Sequence, residues 1–293
     1  MSPTPRPAGP CGRRRALALL AGAAGAGLLR PARAGAPLRF GLTPVLLDDD
    51  AGLLAALGAY LGDSTGREVE LVKRRSYQEI TVLLLAGRLD AAWICGYPYV
   101  QFRDRLALVA VPVWNGAPLY RSYVIVGRDS PASGFDDLRG TIHAFSDPDS
   151  NSGYLVTTAL LRRRGEDPGR FFRHVFFTYG HRNVIRAVGR GLADGGSVDG
   201  YVFEVLRRTD PALVDACRVL RRSELFGFPP VVCRRELAGS ADVEALRQAL
   251  LAMPQAPPGR HVLRLLGLDG FTTRGPELFD SIAANARLVA RAA

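Results

Sequence analysis

The chain has no apolar run long enough to cross a bilayer, and no Cys/His spacing that suits zinc or an iron–sulfur cluster. It also lacks a Gly-x-Ser-x-Gly elbow, a Walker loop and a Gly-x-Gly-x-x-Gly following a strand. These absences remove the common nucleotide-dependent and acyl-transfer enzymes, and no metal or organic cofactor is expected. Cysteine is scarce. Beyond the N-terminal Cys11 there are only Cys95, Cys217 and Cys233, so at most one disulfide can form and at least one thiol stays free. Charged residues make up 23% and hydrophobic residues 47%, an ordinary balance for a soluble globular protein. At 293 residues the chain exceeds what one core usually organises, so two compact units are expected.

Residues 1–34 contain no acid but six arginines, and they carry most of the formal net charge of +10. Without them 32 basic residues face 28 acidic ones, which leaves no footprint for nucleic acid. Arg13-Arg14-Arg15 precedes the apolar, small-residue run Ala16–Leu29, and Ala32-Arg33-Ala34 offers a cleavage site. This is the pattern of an export signal of the twin-arginine kind, removed on delivery to the periplasm. Cys11 lies before the apolar run, which excludes a lipoprotein. The short runs Lys73-Arg74-Arg75 and Arg162-Arg163-Arg164 read as solvated surface or helix C-terminal charge.

After the signal, apolar strands alternate with helical periods. Strands are expected at Leu38–Leu42, Glu68–Val72 and Asp90–Ile94, with helices at Ala51–Leu61 and Tyr77–Leu85. That alternation calls for an α/β fold with a parallel sheet covered on both faces. One unit recurs: Ser76–Ala86 followed by 87–93 has the same plan as His181–Arg190 followed by 196–202. The β-rich runs Tyr120–Val126 and Leu225–Cys233 then serve as crossings between two lobes, 37–121 plus 229–293 and 122–228. Helices near Val243–Met253 and Glu277–Leu288 return to the first lobe.

The most informative segment is 142–164. A short strand ends near Phe145, Asp147–Ser152 is turn and cap chemistry, and Gly153–Arg164 is helical. Ser150, Asn151 and Ser152 therefore stand at a helix N-terminus, where free N–H groups and the helix dipole favour an anion. Taken alone, the same residues read as an N-cap. Thr43, Tyr97, Tyr99 and Cys95 follow strand ends and are expected at the same cleft. Cys95 reads either as packing or as a thiol ligand. Arg121 and Tyr123 read as hinge packing.

Asp-Pro-Asp-Ser-Asn-Ser-Gly-Tyr-Leu-Val at 147–156 resembles the Asp-Pro-x-Ser-x-Ser-Gly signature of phosphonate and phosphite periplasmic binding proteins. Support comes from the strand at 87–93, the two crossings, Gly180-His181 and Val-Asp-Gly-Tyr at 198–201. The resemblance implies the type 2 periplasmic-binding-protein fold: two α/β lobes, with mixed and mostly parallel sheets, joined by two crossing strands. It assigns Ser150, Asn151 and Ser152 to the anionic oxygens, His181 to the same group, and Tyr97 to closing over the ligand. Tyr201 and Glu204 would lie by the cleft, Glu204 pairing with an ammonium in aminophosphonates. The family's second carboxylate is replaced by Gly227-Phe228-Pro229-Pro230. The implied partners are a small oxyanion and an ABC permease, with the protein acting as a monomer. The rival is a sensor partner of a membrane histidine kinase that binds arsenite through Cys95.

Overall fold

The structure, a computed structural model, describes residues 36–45 and 51–291; the export signal expected at 1–34 lies outside them. The chain opens with β1 (Leu38–Leu42), α1 (Ala51–Thr65), β2 (Val69–Lys73), α2 (Tyr77–Leu85), β3 (Ala91–Trp93), α3 (Gly96–Gln101) and β4 (Leu106–Val113). It continues through β5 (Leu119–Gly127), β6 (Ile142–Phe145), α4 (Val156–Arg162), α5 (Pro168–Phe171), β7 (His174–Phe177) and α6 (His181–Gly189). Next come β8 (Gly195–Asp199), α7 (Gly200–Thr209), α8 (Pro211–Val214) and β9 (Cys217–Gly227). The remainder is β10 (Val231–Arg234), α9 (Ala241–Leu251), α10 (Pro257–Leu266), β11 (Gly270–Thr272) and α11 (Asp280–Ala290).

These strands form two sheets, ordered β11-β4-β10-β3-β1-β2 and β7-β6-β8-β5-β9. Each contains three parallel strands, β2-β1-β3 in one and β7-β6-β8 in the other. Antiparallel strands extend each sheet, β10 and β4 in the first and β5 and β9 in the second. Both sheets are thus mixed, with parallel pairing confined to one side of each. Two short links join them. Residues 114–118 lead from β4 to β5, and Phe228-Pro229-Pro230 leads from β9 to β10. The two prolines cannot donate to a ladder, which is why the run 225–233 divides there between the sheets. One apolar cluster includes Phe40, Ile94 and Val232 of the first sheet and Ile125, Ala144 and Val198 of the second. Cys95, Cys217 and Cys233 are all buried free thiols.

The repeated unit is longer than sequence pattern suggests, and its register differs. Helices α2 and α6 both end at a left-handed glycine, Gly87 (φ 72°) and Gly191 (φ 70°). The next residues match bond for bond. Arg88 N–H donates to Leu83 O at 2.9 Å and Leu192 N–H to Ala187 O at 2.8 Å. Asp90 accepts from Arg39 N–H and Asp194 from Ile142 N–H, both at 2.8 Å. The counterpart of Asp90 is therefore Asp194, and the expected alignment of 87–93 with 196–202 was displaced by five residues. Gly195 and Gly196 lie inside β8 instead, and a Cβ on Gly196 would meet Val184 at 2.4 Å, which accounts for the glycine there. Continued in register, Tyr77 matches His181, Cys95 matches Asp199, and Tyr97 matches Tyr201.

Candidate functional site

Strands β3, β6 and β8 point their C-terminal ends at one buried polar cluster, where ligands of open α/β sheets bind. Ser150, Asn151 and Ser152 follow β6 and begin a short π-helical turn, Asn151–Leu155, that runs into α4. Ser150 Oγ accepts from Gly153 N–H at 2.9 Å. Gly153 permits a close approach that no larger residue could. A Cβ there would stand 1.8 Å from Ser146 Oγ and 3.0 Å from His181 Cε1.

The first residues of α2 and α6 meet across this cluster. Tyr77 OH lies 3.1 Å from His181 Nε2. His181 Nδ1 accepts the Asp199 N–H at 3.1 Å, which assigns the ring proton to Nε2. The Tyr77 N–H donates to Asp147 Oδ2 at 3.1 Å. Asn151 donates twice, from its backbone to Cys95 Sγ at 3.2 Å and from Nδ2 to Tyr120 OH at 2.9 Å. Ser122 Oγ donates to Ser152 O at 2.6 Å. Ser152 Oγ lies near enough to the Asp199 carboxylate to lower its pKa, yet it makes no hydrogen bond of good geometry. Asn151 Oδ1 and Ser146 Oγ likewise have no hydrogen-bond partner among the described residues.

Burial sets the electrostatics of the cluster. Burial pushes the His181 imidazole down to about 3, so the ring is neutral. Burial also pushes the Cys95 thiol up to about 12, against hydrogen bonds from the Asn151 and Tyr97 backbones. Asp199 is raised to about 7 by burial, although the Val202 and Tyr201 N–H groups donate to it. Asp147 is raised for the same reason. Among the described residues, no arginine or lysine forms an ion pair with Asp147 or Asp199. The site offers neutral donors and protonatable carboxyls.

Ser150, Asn151, Ser152, His181 and Cys95 are thus brought together. Others sit elsewhere. Thr43 donates to Trp93 O at 3.1 Å and Tyr201 to Leu266 O at 2.6 Å, so both hydroxyls are occupied. They line a separate apolar pocket of about 20 Å³ with Trp93 and Phe228. Tyr97 is half-buried, and burial raises its hydroxyl's pKa, with the charges of Asp149 and Tyr154 adding to the rise. Tyr99 packs its ring on Phe279 at 4.9 Å. Glu204 is not brought to the cluster: it accepts from Tyr123 OH at 3.2 Å and pairs with Arg207 at 2.9 Å. Helical geometry explains this, since five residues beyond Asp199 turns a side chain about 140° away. Arg121 donates to Ser223 O and serves the sheet.

Sequence pattern did not single out Tyr77, Tyr120, Ser122, Ser146, Asp147 or Asp199. For Tyr77 a signal existed. It starts α2 as His181 starts α6, and the recurring unit put the two in corresponding places.

The "Phosphate-import protein PhnD" of Mycolicibacterium smegmatis is 28% identical over 167 residues, 53% of this chain and 50% of that protein. The chain spans about half the length of the curated relatives it matches. A binding protein component of an ABC phosphonate transporter from Pseudomonas aeruginosa superposes with TM-score 0.78 at 21% identity, covering 87% of each chain. PhnD1 from Prochlorococcus marinus, solved with methylphosphonate, gives TM-score 0.76 at 17% identity over 85% of this chain and 97% of that one. The fold is therefore that of the type 2 periplasmic binding proteins. A family profile described as "ABC transporter, phosphonate, periplasmic substrate-binding protein" matches residues 40–277, and the chain belongs to that family.

Proposed function

We propose that this protein captures a small tetrahedral oxyanion of the phosphate, phosphite or phosphonate type and delivers it to an ABC importer. The observation that carries the reading is the cluster itself. Neutral donors from Ser150–Ser152, His181, Tyr77 and Tyr120 converge from both sheets on one buried spot. The Asn151 N–H rests on a thiol, the weakest acceptor available, and an oxyanion oxygen would take it over readily. The two lobes are then built on the two sheets, up to β4 together with β10 onward for one and β5 to β9 for the other, closing about the links at 114–118 and 228–230.

Two features narrow the ligand. Glu204 is held by Arg207 and Tyr123 and does not await an ammonium. Asp199, at about 7, favours ligands that keep a proton near neutral pH, and so disfavours sulfate. Cys95 Sγ sits against the same Asn151 N–H, which keeps arsenite binding and a sensor role as the second reading. A thermal-shift panel tests both. Phosphate, phosphite or methylphosphonate at a hundred times its Kd should add about 2.7 kcal/mol of stability, and sulfate nothing. No shift with any of them would remove the reading, and a shift with arsenite alone would select the second.

A further inference from the structure

The turn that carries Ser150, Asn151 and Ser152 is wound more widely than an α-helix. Leu155 N–H reaches back five residues to Ser150 O at 3.0 Å, and Val156 N–H five residues to Asn151 O. An α-helix would pair the Val156 N–H with Ser152 O. That carbonyl is taken from outside instead, by Ser122 Oγ, which donates to it at 2.6 Å. Gly153 O also accepts from outside the helix, from Ser146 N–H at 3.2 Å. A side chain inserted into the helical ladder in this way distorts the winding locally. In the widened turn Asn151 Oδ1 and Ser152 Oγ are buried, with no hydrogen-bond partner among the described residues.

Ser122 is itself fixed by a bulge. The β5–β9 register shifts between Arg121↔Leu225 and Tyr123↔Arg222, so one residue of β5, Ser122, faces two of β9, Ser223 and Glu224. Ser122 N–H donates to Ser223 Oγ at 2.9 Å, and Ser223 Oγ donates in turn to Glu224 O at 2.7 Å. Arg121 donates to Ser223 O on the same bulge. On its other side Ser122 pairs with Asp199 of β8, so their side chains share a face, and both stand against Ser152. Strand β5 follows the link at 114–118, and β9 leads into Phe228-Pro229-Pro230. The bulge therefore ties the Ser150–Ser152 turn to both strands that continue into the links between the sheets. A serine has one O–H to give, and that of Ser122 goes to Ser152 O.

We propose that Ser122 is a positioning residue for oxyanion capture: anchored at the bulge, it draws Ser152 O out of the helical ladder and holds the Ser150–Ser152 turn open for the ligand. The proposal rests on the oxyanion reading above. Three variants test it. Ser122→Ala removes the hydroxyl, Ser122→Cys keeps a similar volume with a weak donor, and Ser122→Thr keeps the O–H. Calorimetry with inorganic phosphate and with methylphosphonate reads affinity, urea denaturation reads the stability of the ligand-free protein, and a crystal structure of each variant reads the winding. In the alanine variant Ser152 O should return to the Val156 N–H, and both probes should bind about tenfold more weakly, as for one lost buried hydrogen bond. The urea midpoint should barely move, because the freed carbonyl has the helix's own N–H to accept. The cysteine variant should follow the alanine one, and the threonine variant should track the parent. Should the alanine variant fail to fold, the cysteine variant decides. Parent-like affinity in the alanine and cysteine variants would overturn the positioning role alone. So would a loss of affinity matched by an equal loss of stability with the turn still π-wound. A parent that binds neither probe would overturn the oxyanion reading and this inference together.

Discussion

Tyr77 and His181 occupy the same place in two copies of one helix–turn–strand–turn unit, and Cys95 and Asp199 occupy another. The backbones agree closely, down to the glycine turns and the aspartates that accept from the neighbouring strand. The chemistry does not. The first copy contributes a phenol and a neutral thiol, groups that keep their protons throughout the physiological range. The second contributes an imidazole and a carboxyl raised to about 7, and only it is preceded by the Ser150–Ser152 turn. The shared backbone plan thus sets the geometry, and the difference at two matched positions sets where the proton sensitivity lies. Asp199 caps α7 with its side chain, whereas Cys95 begins α3 without a side-chain cap.

The largest expected effect breaks the Cys95/Asp199 contrast at its titratable end. Asp199 stands near 7 in the folded protein against about 3.9 in an unfolded chain. Between those values the folded state holds a proton that the unfolded chain has released. The stability linked to this group is fully present below about pH 4 and is lost as pH rises to about 7. Asp199→Asn removes that dependence while keeping a good helix cap. Relative to the parent, the variant should gain roughly 2–4 kcal/mol between pH 4 and pH 8, read by urea denaturation. His143 and His181, both pushed to about 3 by burial, act in the other direction in both proteins, costing stability as pH falls below about 6.5. Parallel pH curves for parent and variant would show that Asp199 titrates normally.

Next is Gly153, the residue that lets the Ser150 turn approach His181. Gly153→Ala would press a methyl group into Ser146, whose Cβ is 2.7 Å from where the new atom would stand. Overpacking of this kind costs about 1–3 kcal/mol. Ligand affinity should fall further than stability does, because the turn is pushed off its partner in the second copy. Titration calorimetry beside a melting curve separates the two, and an unchanged affinity would mean the turn does not hold the ligand.

A smaller effect sharpens the Tyr77/His181 pair. Tyr77→Phe deletes the hydroxyl that faces Nε2, and His181→Ala leaves the Asp199 N–H without its acceptor. A double-mutant cycle on stability should return a coupling of about 0.5–1.5 kcal/mol, the size of one buried hydrogen bond. Additive effects would indicate that the two helix starts act independently.

Much of this was legible beforehand, for physical reasons. Ser150–Ser152 stood out because cap residues before an apolar helix mark free N–H groups, and His181 because it follows a glycine at a helix start. Asp199 was obscured by a glycine. Gly196 resembles a turn residue in sequence, but it lies in β8 with α6 packed against it, and taking it for the turn shifted the repeat by five positions. Glu204 lies away from the cluster for a different reason: nearness in sequence to Asp199 does not survive the rotation of a helix. Tyr120 and Ser122 lie on β5, where alternation along the strand makes one face reach the cluster, and no local motif marks them.

The smallest effect concerns Cys95, and it tests whether the difference at this position serves the ligand. Its sulfur accepts the Asn151 N–H at 3.2 Å and is buried with its proton on. Sulfur is a weak acceptor, so this N–H is held loosely and can be passed to an oxyanion oxygen. Cys95→Ser puts a stronger acceptor in nearly the same volume, and stability should change by less than about 1 kcal/mol. Phosphate or methylphosphonate binding should weaken about two- to threefold, because the serine competes with the ligand for the donor. Arsenite separates the readings. Condensation of the thiol with arsenous acid forms an As–S bond and releases water, the thiol proton leaving with one arsenic hydroxyl. A thiol held near 12 reaches its reactive thiolate only with difficulty, so burial argues against this route. Calorimetry on parent and variant with both ligand classes decides. Loss of arsenite binding in the serine variant, with phosphate binding retained, would establish the thiol as a ligand and move the function toward sensing. Modest weakening toward phosphate, and no arsenite binding by the parent, would leave Cys95 as the loose partner that keeps the Asn151 N–H available.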